Sequence, residues 1–152
     1  RIYSSRQNHM RKVSRSALVP YSAKQMYALV EDIQAYPEFL PWCTGATVHS
    51  RTGDSIDASL ELQRGSIKKS FRTLNTLTPG TAMGLALIGG PFRHLSGGWR
   101  FEQLGDDGSK VSLDLEFEFE NRLTDTLFGG FFEETCNSLI DSFTQRAETL
   151  HG

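Results

Sequence analysis

Cysteine is scarce in this chain. Cys43 and Cys136 are the only two, they form no CxxC, and neither has a companion set of Cys or His at zinc-ligand spacing. That excludes a disulfide framework and a structural zinc site, and leaves two reduced, partly buried thiols. Long apolar runs are missing too: none reaches the roughly 18 residues of a membrane span, and no apolar segment typical of a secretory signal stands near the N-terminus. The expectation is a cytoplasmic protein, at most peripheral at the inner membrane. Nor is there an excess of charge of one sign. The 16 basic and 18 acidic residues are interspersed and sum to −2, which gives no electrostatic footprint for DNA and no acidic tail.

Catalytic signatures are equally sparse. The chain has no GxSxG nucleophile elbow, no P-loop and no GxGxxG. Ser66-Ile67-Lys68-Lys69 matches S-x-x-K in form, but it falls in a strand pattern without the companion motifs and reads as a chance match. His49, His94 and His151 lie on separate elements, so a metal site is not expected and no residue is put forward as catalytic.

What is present is patterned apolar sequence. Residues 1–10 read as a leader ending at His9-Met10, and 11–152 as a single domain, long enough at 152 residues in all to bury its own core. "KVSRSALV" alternates as a first strand that Pro20 ends. "SAKQMYALVEDI" follows with Ser22 as N-cap and Met26, Tyr27, Leu29, Val30 and Ile33 at helical spacing. "QAYPEFLPWC" allows at most one further helical turn, because of its two prolines.

From Cys43 to Glu120 the period drops to two. Ile56, Ala58, Leu60 and Leu62 share one face of a strand, and "SIKKSFRTLNTL" and "TAMGLALIGG" continue the series. Leu95, Trp99 and Phe101 share a face of the next strand, where Gly97-Gly98 leave room beside Trp99 for a ligand or a close backbone. The clearest strand is "KVSLDLEFEFE". Val111, Leu113, Leu115, Phe117 and Phe119 point one way and Asp114, Glu116, Glu118 and Glu120 the other, as a solvated acidic face.

The last segment, about Leu123 to Leu150, carries Phe128, Phe132, Cys136, Leu139, Phe143, Ala147 and Leu150 at steps of three and four, a stripe on a helix of about seven turns. Its first turns contain "LFGGFFEE". Paired glycines weaken a helix by roughly 1–2 kcal/mol in total, so Gly129 and Gly130 read as a hinge, with Phe131 exposed beside them as an apolar gate to a membrane surface. The competing explanation is close packing of the glycines against the short helices.

Hairpin-linked strands imply an antiparallel sheet, and a sheet with one apolar face needs a cover that only the last helix can supply. The fold class is therefore α+β: a curved antiparallel sheet of about seven strands around a long C-terminal helix, with two short helices after the first strand. A cylinder does not fill a concave saddle, so a cavity is expected between them. Aromatic walls with few ionisable groups suit a hydrophobic ligand held by packing alone. Trp42, Phe71, Leu87, Phe92, Trp99, Phe101, Phe128, Phe132, Cys136 and Leu139 are the expected lining. Lys68, Lys69 and Arg72, with Arg93 and Arg100, form the only basic grouping; it reads either as a solvated sheet face or as a contact for RNA phosphate or lipid headgroups.

Two motifs sharpen this. Tyr36-Pro37 with Phe39, Pro41, Trp42 and Cys43, and Gly90-Pro91-Phe92 with Leu95, Gly98, Trp99 and Phe101, give a chain that resembles the START-like helix-grip superfamily over about Met10 to Gly152. Within it the chain is similar to the branch holding mitochondrial coenzyme Q-binding proteins and bacterial ribosome association toxins. The resemblance implies an apolar tunnel for ubiquinone or a related polyprenyl quinone as bound ligand, with no required cofactor and a role in respiration. Its alternatives are binding to the large ribosomal subunit so as to block subunit association, and an oligoketide cyclase or dehydratase activity.

Overall fold

The computed structural model describes residues 10–152; the expected leader lies, but for Met10, outside the described residues. Seven strands form one antiparallel sheet: β1 (Arg11–Val19), β2 (Cys43–Arg51), β3 (Ser55–Arg64), β4 (Ile67–Thr78), β5 (Ala82–Gly89), β6 (Phe92–Leu104) and β7 (Gly108–Phe119). Their order across the sheet is β1-β7-β6-β5-β4-β3-β2, so consecutive hairpins build everything except the β1–β7 pair that closes the chain's start onto its later half. The fold is α+β, a helix-grip architecture.

The local causes are those the sequence announces. Helix α1 (Ala23–Glu31) starts at Ser22 with a capping box: Ser22 Oγ accepts from the Gln25 amide and Gln25 Oε1 accepts from the Ser22 amide, both at 3.0 Å. Its first residue is also fixed to the sheet, since the Ala23 amide donates to Gln103 Oε1 at 2.8 Å. A 3-10 turn (Ile33–Ala35) and the one-turn helix α2 (Tyr36–Phe39), with Pro37 in its first turn, lead into β2. In β7 the inward set Val111, Leu113, Leu115, Phe117 and Phe119 is buried throughout, as the period of two requires.

At Gly97-Gly98 the requirement is close backbone. A Cβ on Gly97, whose φ is +141°, would stand 2.0 Å from the Asp114 carbonyl oxygen, and one on Gly98 would stand 2.7 Å from that of Met83. The two glycines let β5, β6 and β7 pack into one curved surface rather than making room for a ligand.

The long C-terminal helix is not continuous. Asn121 caps a single helical turn (Arg122–Thr124), its side chain accepting from the Thr124 amide at 2.8 Å. A wide π turn (Asp125–Gly129) follows, then α3 (Gly130–Asn137) and α4 (Leu139–His151). The π turn coincides with a grip from β1: Arg11 Nε and Nη2 donate to Asp125 at 2.9 and 3.1 Å, and Nη1 donates to Glu133 at 2.7 Å. The second break is at Ser138. Its amide is shared between the Glu134 and Thr135 carbonyls, and its hydroxyl takes the Thr135 carbonyl at 2.9 Å in competition with the helical ladder. Across that break Ile140 takes the place of Leu139 in the buried stripe. Ile140, Phe143 and Ala147 are buried, whereas Leu139 is half-buried and Leu150 exposed, so the single stripe through Leu139 and Leu150 is corrected.

Candidate functional site

Helices α3 and α4 rest on β1, β7 and α1. Over the other half of the sheet they leave a cavity of about 80 Å³. Strands β3, β4 and β5 supply Ala58, Leu60, Phe71, Thr73, Asn75, Met83 and Leu85; β6 and β7 supply Leu95, Trp99 and Leu115. The helical side is Phe132, Thr135, Cys136, Leu139 and Phe143, and Ile33, Tyr36 and Trp42 close one end. The half-buried members Trp42, Leu60, Phe71, Leu85 and Leu139 are where the wall meets solvent.

Of the expected lining, Trp42, Phe71, Trp99, Phe132, Cys136 and Leu139 do meet at this cavity. Leu87, Phe92, Phe101 and Phe128 do not line it. Phe92 is stacked on Phe119 at 4.7 Å and tilted against Phe132 at 5.3 Å; Phe128 meets Phe119 at 6.2 Å; Phe101 lies between Tyr27 at 5.7 Å and Trp99 at 6.1 Å. They fill core. Leu87, half-buried on β5 opposite Thr73, packs on the core beyond the cavity. Strand parity assigns the face of a side chain but not its position along the strand, which is why filled and hollow parts looked alike in sequence.

Polar members of the wall were missed. Thr73 and Asn75 sit on the inward parity of β4 with Phe71 and Leu77, and Thr135 on α3 lies one helical turn after Phe132. That spacing was the available signal. The wall's ionisable groups, neutral already at pH 7, are held further from ionisation by burial. Desolvation pushes the Tyr36 hydroxyl well above its ordinary range while it donates to the Val30 carbonyl, and pushes the Cys136 thiol up likewise, with Glu133 adding to the effect. Cys43 is also a free, buried thiol raised by desolvation.

Phe131 is half-buried rather than exposed: its ring meets Phe128 at 5.3 Å and lies under the Arg64 guanidinium at 5.7 Å. Arg64 also donates to the Leu127 carbonyl at 2.7 Å, so this end of the helix is tied to the β3–β4 hairpin. The glycines beside it differ. Gly129 is buried against Arg11 of β1 and not against the short helices, whereas Gly130 faces open space.

The basic grouping comes apart. It is split between two strands, β4 and β6, with β5 between them. Lys68 and Lys69, as successive strand residues, point to opposite faces. Arg72 forms a fork with Asp57, both bonds 2.7 Å, and holds that carboxyl below its ordinary value; Arg93 pairs with Glu118 at 3.2 Å and Arg100 with Asp114 at 3.3 Å. Among the described residues no group of three His, Cys, Asp or Glu side chains could hold a metal, and no helix is long and apolar enough to cross a membrane.

A curved sheet gripping a C-terminal helix over an apolar hollow defines the START-like class. The fold recurs in solved structures: TTHA0849 from Thermus thermophilus (TM-score 0.81, 18% identity, 93% of this chain and 100% of that one), the Zhui aromatase/cyclase from Streptomyces (0.78, 16%, 92% and 94%) and a START superfamily protein from Mycobacterium smegmatis (0.76, 21%, 91% and 98%). Residues 19–144 match the family of polyketide cyclase / dehydrase and lipid transport proteins, and the chain belongs to it. Among curated proteins it is similar to the ribosome association toxin RatA of Vibrio cholerae, 43% identical with 94% of this chain and 99% of that one covered. It is also similar to the mitochondrial coenzyme Q-binding protein COQ10 of Dictyostelium discoideum, 29% identical with 87% and 66% covered.

Proposed function

We propose that this chain is a non-enzymatic carrier or chaperone of a hydrophobic, ring-bearing lipid of the polyprenyl quinone class. The observation that carries the reading is the cavity itself, a hollow walled by Trp42, Phe71, Trp99, Phe132 and Phe143 and lined by no Asp, Glu, Lys, Arg or His. Such a wall binds by area and ring packing, at on the order of 0.8 kcal/mol per buried CH2, and has little to offer a developing charge. The hollow of about 80 Å³ is smaller than a substituted quinone ring, so in this reading the half-buried Trp42 and Leu139 at its edge move aside to admit the ring, and the isoprenoid chain leaves between them. The likeness to a protein named for coenzyme Q binding supports the same ligand class.

A second reading is association with the large ribosomal subunit, favoured by the 43% identity to a protein named as a ribosome association toxin. In that reading the surface contact is not one basic patch, because Arg72, Arg93 and Arg100 each have a carboxylate partner on the sheet.

One preparation tests both. Protein purified from a quinone-producing host is extracted with organic solvent for lipid mass spectrometry, titrated with a short-chain ubiquinone while Trp42 and Trp99 fluorescence is followed, and run with ribosomal subunits on a gradient. Co-purifying polyprenyl quinone and saturable quenching support the carrier. Clean extracts, flat titrations and co-migration with the large subunit would replace it with the second reading.

A further inference from the structure

On its sheet side the cavity wall is apolar except along one strand; the helical side adds the Thr135 hydroxyl. Where β3 and β5 present Ala58, Leu60, Met83 and Leu85, the strand between them presents Thr73 and Asn75. Asn75 is 1% exposed, the most deeply buried amide among the described residues' buried polar groups. Its Nδ2 donates to the Ile56 carbonyl at 3.1 Å, and its Oδ1 accepts from Thr73 Oγ1 at 3.1 Å. Those bonds engage one of the two amide N–H groups. They also join nothing that the sheet leaves apart, since Ile56 is already the register partner of Asn75 and Thr73 is two residues away on the same strand. A leucine would fill the position without the desolvation penalty of an amide, so the carboxamide is unexplained by the fold alone.

We infer that Asn75, oriented by Thr73, anchors a carbonyl oxygen carried on the ring of the cavity's occupant. The remaining amide N–H donates to that oxygen, and the Thr73 hydroxyl holds the amide by occupying its oxygen. The wall has this neutral donor and no cation, which fits a quinone or ring ketone and not a carboxylate or phosphate. The inference rests on the carrier reading and deepens it by naming the side chain that recognises the ring carbonyl.

The test uses two probes with the same tail, decylubiquinone and n-decylbenzene, titrated by calorimetry into the unaltered protein and into Asn75→Leu and Thr73→Val. Circular dichroism confirms folding, and Thr73→Val, which keeps shape and removes only the hydroxyl, decides if Asn75→Leu does not fold. Loss of one buried neutral hydrogen bond corresponds to about tenfold in affinity. The expected result is that drop for decylubiquinone in Asn75→Leu, about threefold in Thr73→Val, and a change within about twofold for decylbenzene. Equal weakening of both probes would assign Asn75 to packing and overturn the anchor. Unchanged quinone binding by both variants would overturn the anchor and leave the carrier standing, whereas an unaltered protein that binds neither probe overturns the carrier and the anchor together.

Discussion

The two halves of this sheet carry the same alternating pattern and end differently. On the β6–β7 side, Phe92, Phe117 and Phe119 meet Phe132, with ring centroids 4.9–6.0 Å apart, and Phe128 lies against Phe119 at 6.2 Å. On the β3–β5 side the facing residues are Ala58, Leu60, Thr73, Asn75, Met83 and Leu85, and the space between them and the helices stays hollow, bordered on the other side by Leu95, Trp99 and Leu115 of β6 and β7. The helices lie on β1, β7 and α1, so the far half of a curved sheet has to reach them with large side chains or leave a gap. Phe71 reaches, its ring centroid 5.8 Å from that of Phe132. Alternation makes a sheet bury one face; side-chain size and the helix axis decide whether that face becomes core or cavity.

Breaking the filled half should cost the most. Phe117 is 0% exposed and packs on Phe92, Phe119 and Phe132, so Phe117→Ala is expected to destabilise by about 3–5 kcal/mol, read as a lower urea midpoint with an unchanged slope. Phe71→Ala, at a half-buried ring beside an existing hollow, should cost about 1–2 kcal/mol, below the usual range for a buried phenylalanine, and enlarge the cavity. If the two variants lose the same stability, the hollow half is packed as tightly as the other and the comparison fails.

The next effect concerns how the start of the chain holds the helical segment. Arg11 bridges Asp125 and Glu133 from β1, with its side chain 26% exposed. Part-burial raises this network above an ordinary surface pair, and the two carboxylates would repel once the guanidinium is gone. Arg11→Met is expected to destabilise by about 1–2 kcal/mol and to raise amide exchange in the π turn more than in α4. Uniform exchange along both segments would mean that Arg11 does not locally hold the turn.

Much of this architecture could be read beforehand. The Ser22 cap and the alternation of "KVSLDLEFEFE" each depend on neighbours a few residues away, and each stands where expected. The broken helix could not be read, because the partner of Asp125 is 114 residues distant and the Ser138 break is a local competition that a stripe pattern averages over. The same limit governs the site. Trp99 and Phe101 share a strand face and differ only in how far along it the helices depart, so one lines the cavity and the other packs on Tyr27. Asn75 was hidden for a different reason: a polar residue on an inward face looks like an error of parity until the wall around it is seen.

The smallest effect separates two adjacent glycines. Each was expected to soften the helix start equally, and together by roughly 1–2 kcal/mol. Gly130 is exposed, with nothing within 4 Å of an added Cβ, so Gly130→Ala should follow propensity and stabilise by about 0.5–1 kcal/mol. Gly129 is buried, and its added Cβ would lie 2.7 Å from Arg11 Nε and Nη2 and 2.8 Å from Asp125 Oδ1. The methyl must push the guanidinium off the carboxylate, and the lost ion pair offsets the helical gain, so Gly129→Ala should fall below Gly130→Ala by about 1 kcal/mol. A double-mutant cycle isolates the cause. With Arg11→Ala already in place, the guanidinium is gone and the Asp125 carboxylate, no longer held by it, is free to swing aside, so Gly129→Ala should now stabilise by about the same amount as Gly130→Ala. If Gly129→Ala is as stabilising as Gly130→Ala in the unaltered protein, the Arg11 grip is loose enough to yield and the pair acts as the uniform soft hinge that the sequence suggested; if it stays unfavourable without Arg11, the obstruction is the Asp125 carboxylate and not the guanidinium.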